Sequence, residues 1–327
     1  MTLTLPPLGM GCAGIGNLYR EVDEATAEAT VAAALAAGIG YFDVAPHYGF
    51  GLAEERLGRA LARHDPKART IVSTKVGRLL VPTDSDAPER HGFVAAPPLE
   101  PVFDYGRDAV LRSHEASLAR LRRDRVELLF AHDLGEVTHG ADAERHLRAF
   151  LDGGYRALRD LRDAGAIDAI GLGVNEIAVC ERLLDAVELD VILLAGRYTL
   201  LEPDAAAALL DRCARVGTRV VIGGPYNSGI LVEGSASRSH FNYAPAPAEV
   251  VARVAALERV CARHGVPLPA AALQFPTRAP AVASVIPGLV GEAQVADTLR
   301  YARRPIPEPL WDECRAALDL TSTETSA

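Results

Sequence analysis

The sequence has no uninterrupted apolar run near the roughly 20 residues that a membrane-crossing helix requires, so neither a membrane anchor nor a membrane partner is expected. Residues 1–16 hold no basic stretch followed by an apolar one, so no secretory leader is expected and the chain reads as cytoplasmic. Cysteine is sparse and scattered: Cys12, Cys180, Cys213, Cys261 and Cys314, with no C-x-x-C and an odd total. That speaks against a disulfide framework or a zinc ribbon and fits reduced thiols. Neither H-E-x-x-H nor another metal-ligand spacing occurs, so no metal site is expected. Positive charge is also short, 34 Lys and Arg against 43 Asp and Glu, for a net charge of −9. Without a broad cationic surface, nucleic acid is excluded as the main partner. A small molecule remains. There is no Pro-, Ser- or Gly-rich linker either, so residues 1–327 read as one domain, either a monomer or a weak homo-oligomer.

What is present is alternation. Eight short β-type apolar runs recur along the chain: Leu8–Cys12, Tyr41–Ala45, Thr70–Val76, Val126–Ala131, Ile170–Val174, Val191–Ala195, Arg219–Gly223 and Val282–Ile286. Between them lie segments with apolar residues at three- and four-residue spacing, such as Leu111, Leu118 and Leu121, or Val250, Val254 and Leu257. Gly38, Gly165, Gly217 and Gly265 stand where helices need a left-handed cap, and Pro203 is suited to open the helix after the sixth run. Buried strands alternating with helices imply a parallel sheet covered by helices. Eight such units in this length predict a closed (β/α)₈ barrel of the TIM type, with an open doubly wound sheet as the rival. The long irregular segments 78–106, 132–151 and 224–247 all follow strands, which would put them over the C-terminal mouth, where barrel sites are built.

Gly9-Met10-Gly11-Cys12-Ala13-Gly14 matches the dinucleotide fingerprint G-x-G-x-x-G, but that motif needs a helix to open within it. The next helical pattern starts only near Asp23, so a tight turn after the first strand is expected. A distributed set carries more. Asp43 sits at the end of the second run, with Tyr48 five residues on. Lys75 ends the third run and His132 follows the fourth. In a barrel these four would converge at one mouth. A lysine cation beside a tyrosine favours phenolate over the ordinary pKa near ~10, and a carboxylate holds the lysine in place. Such a group exchanges a proton at an oxygen, as a carbonyl–alcohol interconversion requires. The remaining histidines, His47, His91, His114, His139, His146, His240 and His264, are assigned no role.

In the order and placement of Asp43, Tyr48, Lys75 and His132 the sequence resembles the aldo-keto reductase superfamily, over Leu8 to about Tyr301. Gly171-Leu172-Gly173-Val174-Asn175, Pro225-Tyr226-Asn227-Ser228-Gly229 and Ile286-Pro287-Gly288 add to the likeness. The resemblance implies that these four are catalytic and that NAD or NADP is the cofactor. It implies that Asn175 holds the nicotinamide carboxamide, that Gly223, Gly224, Pro225, Tyr226, Asn227, Ser228 and Gly229 bind the cofactor, and that the loop Asn227-Ser228-Gly229-Ile230-Leu231 folds over the pyrophosphate. Pro287, Gly288 and Gln294 would face the adenosine ribose. The tyrosine that stacks on nicotinamide in the family is replaced by Gly223 or Gly224, with Tyr226 as the neighbouring substitute. Gly288 and Gln294 stand where NADP-dependent members carry Lys and Arg, which favours NAD; Arg300, Arg303 and Arg304 are the nearest other cations. Within the superfamily the chain resembles bacterial sugar dehydrogenases of the L-fucose and D-threo-aldose 1-dehydrogenase type, to which pyridoxal 4-dehydrogenase is similar. The implied substrate is a free sugar or another hemiacetal, oxidised to a lactone. The alternatives are an NADPH-dependent aldehyde or ketone reductase and a non-catalytic nucleotide-sensing subunit.

Overall fold

A computed structural model describes residues 3–237, 240–242 and 244–324. Eight strands form one parallel sheet: β1 (Met10–Gly11), β2 (Tyr41–Asp43), β3 (Ile71–Val76), β4 (Leu128–His132), β5 (Ala169–Val174), β6 (Val191–Ala195), β7 (Arg219–Gly223) and β8 (Val282–Ile286), paired in that order. Parallel bridges Leu8–Val285 and Gly11–Gly288 return β8 to β1, with Gly9 N–H donating to Val285 O at 3.0 Å. The sheet is therefore a closed barrel, and the open-sheet rival falls. Helices α1 (Glu24–Ala36), α2 (Leu52–His64), α3 (Arg107–Leu121), α4 (Tyr155–Asp163), α5 (Ala178–Ala186), α6 (Ala207–Val216), α7 (Ala248–Arg263) and α8 (Glu292–Ala302) follow the strands in turn.

Side chains on a strand alternate between faces, so each strand sends one file into the barrel and one toward the helices. The outward file, with Phe42, Leu129, Ala131, Ile192, Leu194 and Ile222, joins the helices in the larger core. The inward file packs as a separate cluster of Tyr41, Leu128, Phe130, Val191, Leu193 and Val221, onto which Leu5 closes from ahead of β1. Continuing that inward file by two residues from Tyr41 gives Asp43, and from Phe130 gives His132. The polar groups therefore form the top layer of a barrel whose lower interior is apolar.

Several boundaries differ from the sequence reading. β1 shrinks to two residues, and α6 starts at Ala207 rather than at Pro203. Segment 78–106 is not irregular: Arg78–Pro82 pairs antiparallel with Leu99–Phe103, and Glu89–Arg90 pairs with Phe93–Val94. Pro82, Pro97 and Pro98 at the loop end of the larger hairpin, with Pro101 inside its second strand, mask its alternation in the sequence. Segment 132–151 is mostly short helices, including Glu136–His139 and Ala143–Ala149. The Gly-rich start runs from β1 into a 3₁₀ turn, Gly14–Gly16, with no long helix before Glu24. A Cβ on Gly16 would lie 2.9 Å from the Tyr48 carbonyl, so the glycine reflects a close backbone approach rather than a nucleotide loop.

Candidate active site

The structure brings the four strand-end residues together. Lys75 Nζ donates to Asp43 Oδ2 at 2.7 Å and to the Val44 carbonyl at 2.9 Å, and Lys75 is 1% exposed. Ser73, two residues before Lys75 on the same face of β3, donates to Asp43 Oδ1 at 2.7 Å, and Tyr41 OH lies 3.0 Å from Ser73 Oγ. Both carboxylate oxygens are thus held, which fixes the lysine beneath the tyrosine. Burial pushes the Asp43 carboxyl up from its usual range, while the Lys75 ammonium and the Ser73 hydroxyl pull it back. Lys75 Nζ stands 4.7 Å from the centre of the Tyr48 ring. Tyr48 comes from the turn after β2, closed by Gly51 N–H donating to Pro46 O at 2.8 Å. The His132 ring meets the Tyr48 ring edge-on, with centroids 6.1 Å apart.

Tyr48, Lys75 and His132 open into a cavity of about 670 Å³ that Asn175 also lines. Its walls include residues whose position in the sequence carries no hint of a role. His47, His91 and His240 line it, as do Glu89 and Asp133, which brings to the cavity wall three histidines to which the sequence assigns no role. Asp133 follows His132 in a left-handed conformation (φ 49°), which turns its carboxylate back toward the cavity. It pairs with Arg78 at the start of the hairpin and stands 3.4 Å from His132 Nε2. Tyr105 OH donates to the His132 carbonyl at 2.6 Å and so pins this turn. Its ring leaves no room at Gly77, where a Cβ would sit 2.1 Å from it and φ is +104°. Tyr19 from the β1 loop stacks on His240 from the β7 loop, rings 5.8 Å apart and nearly parallel, at the cavity rim. The β1 loop is held by buried Arg56, which donates to Ile15 O and Val22 O, each at 2.7 Å.

Burial, with the charges of Arg78 and Lys75 added, holds the His132 pKa well below 6.5, and the same factors bring His47 down to about 2. Folding therefore requires neutral rings, whereas the unfolded chain takes up protons below about pH 6.5. Stability is unaffected above that value and falls as pH drops beneath it. We expect Tm to decline between pH 7 and 5, and His132→Gln to shrink that decline by about 2 °C. An equal decline in both proteins, followed by calorimetry, would show that His132 carries no such penalty.

The expected cofactor residues lie along the neighbouring rim rather than in this cavity, Asn175 excepted. Gly224, Asn227, Ser228 and Gly229 all have positive φ (58°, 46°, 60° and 106°), a tightly wound loop in which Asn227 N–H donates to Gly224 O at 3.1 Å and Gly229 N–H to Tyr226 O at 3.0 Å. Gly288 faces open space: a side chain added there would meet nothing within 4 Å of its Cβ. The residues present fit a nicotinamide dinucleotide. Two of the expected residues have partners within the chain. Tyr226 is half-buried, its pKa raised by burial and by Tyr301, and it is not among the residues lining the cavity. Gln294 accepts from Val290 N–H at 2.8 Å. Of the other cations, Arg300 pairs with Asp297 at 2.7 Å and Arg304 donates to the Gly265 carbonyl at 2.7 Å.

The barrel and the polar layer at its C-terminal mouth place this chain among enzymes whose chemistry is set at strand ends. More narrowly, residues 7–319 match the Aldo/keto reductase family, and the chain belongs to that family of NAD(P)-linked oxidoreductases. It is 41% identical over 330 residues to the pyridoxal 4-dehydrogenase of Microbacterium luteolum, covering 96% of this chain and 94% of that protein. It is 38% identical over 321 residues to a D-threo-aldose 1-dehydrogenase of a Pseudomonas species, with the same coverage of 96% and 94%. The fold is similar to that of the holo form of an aldo-keto reductase from Bacillus halodurans, at a TM-score of 0.73 and 22% identity over 96% of this chain and 93% of the other.

Proposed function

We propose that this protein oxidises the anomeric hydroxyl of a free aldose, of the L-fucose or D-threo-aldose kind, to the lactone, using NAD. The observation that carries the reading is the ring of hydrogen-bonding groups around the tyrosine: His47, His91, Glu89 and Asp133 line the cavity with His132. A hydroxyl-rich ring satisfies such walls, whereas an apolar carbonyl compound would leave them desolvated and unpaired. The 38% identity to a D-threo-aldose 1-dehydrogenase supports the same substrate class. Pyridoxal is the second reading. It is favoured by the 41% relative and by the aromatic walls Tyr19 and Phe93, and its hemiacetal presents the same C–OH beside a ring oxygen.

In this reading Tyr48 accepts the hydroxyl proton, the Lys75 cation stabilises its phenolate, Asp43 holds Lys75 in place, and His132 orients the oxygen. Nicotinamide, when bound, supplies the hydride acceptor at C1. Asn175 would hold the nicotinamide and the 223–229 segment the rest of the nucleotide, and Asp133 accepts a hydrogen bond from a second sugar hydroxyl. Reduced nucleotide formation with L-fucose, D-threo-aldoses and pyridoxal tests the reading. Turnover of pyridoxal alone would replace the sugar by the second substrate, and turnover confined to simple aldehydes would sink both.

The preference for NAD rests on the lack of a free cation at Gly288 and Gln294, since a 2′-phosphate needs charge-assisted partners. We expect Gly288→Lys with Gln294→Arg to raise kcat/KM for NADP relative to NAD by about tenfold or more, because Gly288 has open space for the longer side chain. An unmodified protein that uses NADP as well as NAD would refute the assignment.

A further inference from the structure

We propose that a cleft outside the active site, between strand Arg78–Pro82 and α3, binds a small oxyanion such as a phosphate group. The cleft has a volume of about 260 Å³, and its polar lining consists of Arg78, Arg112, Ser113 and Arg120, set among Leu79 and Leu80. No carboxylate is among the described residues that line it, and it shares none of its lining with the reaction cavity. Arg112 makes no hydrogen bond or ion pair among the described residues, while Arg120 is held by Glu54 at 2.6 Å. Two polar atoms are buried without a partner: Ser113 Oγ, on a residue 2% exposed, and Arg78 Nε, on a residue 8% exposed.

Buried donors left unpaired are costly, and an oxyanion supplies several acceptor lone pairs at once. Guanidinium groups match that geometry through paired N–H bonds. A phosphate with a short carbon chain fits the volume; a dinucleotide does not. Arg78 gives the cleft a route to the chemistry. One end of its guanidinium holds Asp133, which lines the reaction cavity beside His132. An oxyanion drawing on Arg78 competes with Asp133, so occupancy of the cleft and the state of Asp133 are coupled in both directions.

The test is calorimetric titration of inorganic phosphate into protein saturated with its reduced nicotinamide nucleotide, which keeps the pyrophosphate segment filled. One phosphate per chain is expected. Arg112→Met, a change at an exposed side chain, should weaken binding about tenfold, the loss of one charge-assisted contact. Ser113→Ala should weaken it severalfold. Asp133→Asn, which frees Arg78 from its carboxylate, should tighten it. Glycerol 3-phosphate as second titrant separates a carried phosphate, which would bind more tightly, from the free ion. Absence of binding by both titrants, or an affinity indifferent to Arg112→Met and Ser113→Ala, overturns the site. An affinity unchanged in Asp133→Asn overturns the coupling through Arg78.

Discussion

Tyr48→Phe is expected to lower kcat by about 10²–10⁴-fold while leaving nucleotide binding intact. The substitution keeps the ring beside Lys75 and removes only the oxygen that, in the proposed reaction, exchanges the proton. The segments expected to hold the nucleotide, 223–229 and 287–294, lie elsewhere on the rim, so fluorescence titration should give a near-parental Kd. In the oxidative direction the phenolate fraction sets the rate where chemistry is limiting, and kcat should rise with pH and then level off. Lys75→Met removes the cation 4.7 Å from the ring centre. Its residual activity should need a higher pH, because the cation that favours the phenolate is gone. Near-parental turnover by Tyr48→Phe on the best substrate would take Tyr48 out of the mechanism.

Asp43→Ala should cost about 3–5 kcal/mol of folding stability, more than any other change at the site, because it leaves an uncompensated charge in the barrel. Lys75 is 1% exposed, and without Asp43 its ammonium keeps only the Val44 carbonyl among its hydrogen-bond partners. Asp43→Asn, which retains an oxygen without the charge, should lose less. The double variant Asp43→Ala/Lys75→Met, with both charges gone, should recover part of the loss even though it is inactive. Urea unfolding of the three variants measures this. A double variant no more stable than Asp43→Ala would mean that the cost lies in lost packing rather than in the unpaired lysine.

The strands were legible because buried parallel strands read as short apolar runs, and β6, β7 and β8 begin and end as the sequence predicts. The four polar residues were legible for a related reason. Each lies in such a run or within a few residues after it, and strand ends converge in a closed barrel. Asp133, Arg78 and the cavity histidines were not legible. Asp133 reaches the cavity only through a left-handed turn, and Arg78 meets it only because the following segment doubles back as a hairpin. The one available signal was Asp133 lying directly after a strand-ending histidine. The inward or outward pointing of Tyr226 likewise depends on loop winding, for which residue spacing has no signature.

The chain of contacts beneath Tyr48 also bears on how protons travel. Lys75, Asp43, Ser73 and Tyr41 are linked in sequence, and Tyr41 belongs to the cluster filled by Leu128, Phe130, Leu193 and Val221. Burial raises the Tyr41 pKa well above its ordinary value, and the barrel interior below it is apolar. The open side of the site is the mouth rimmed by Tyr19 and His240. In the proposed reaction proton and oxidised product would share that one exit, and a product that lingers there would delay the return of the tyrosine to its working state.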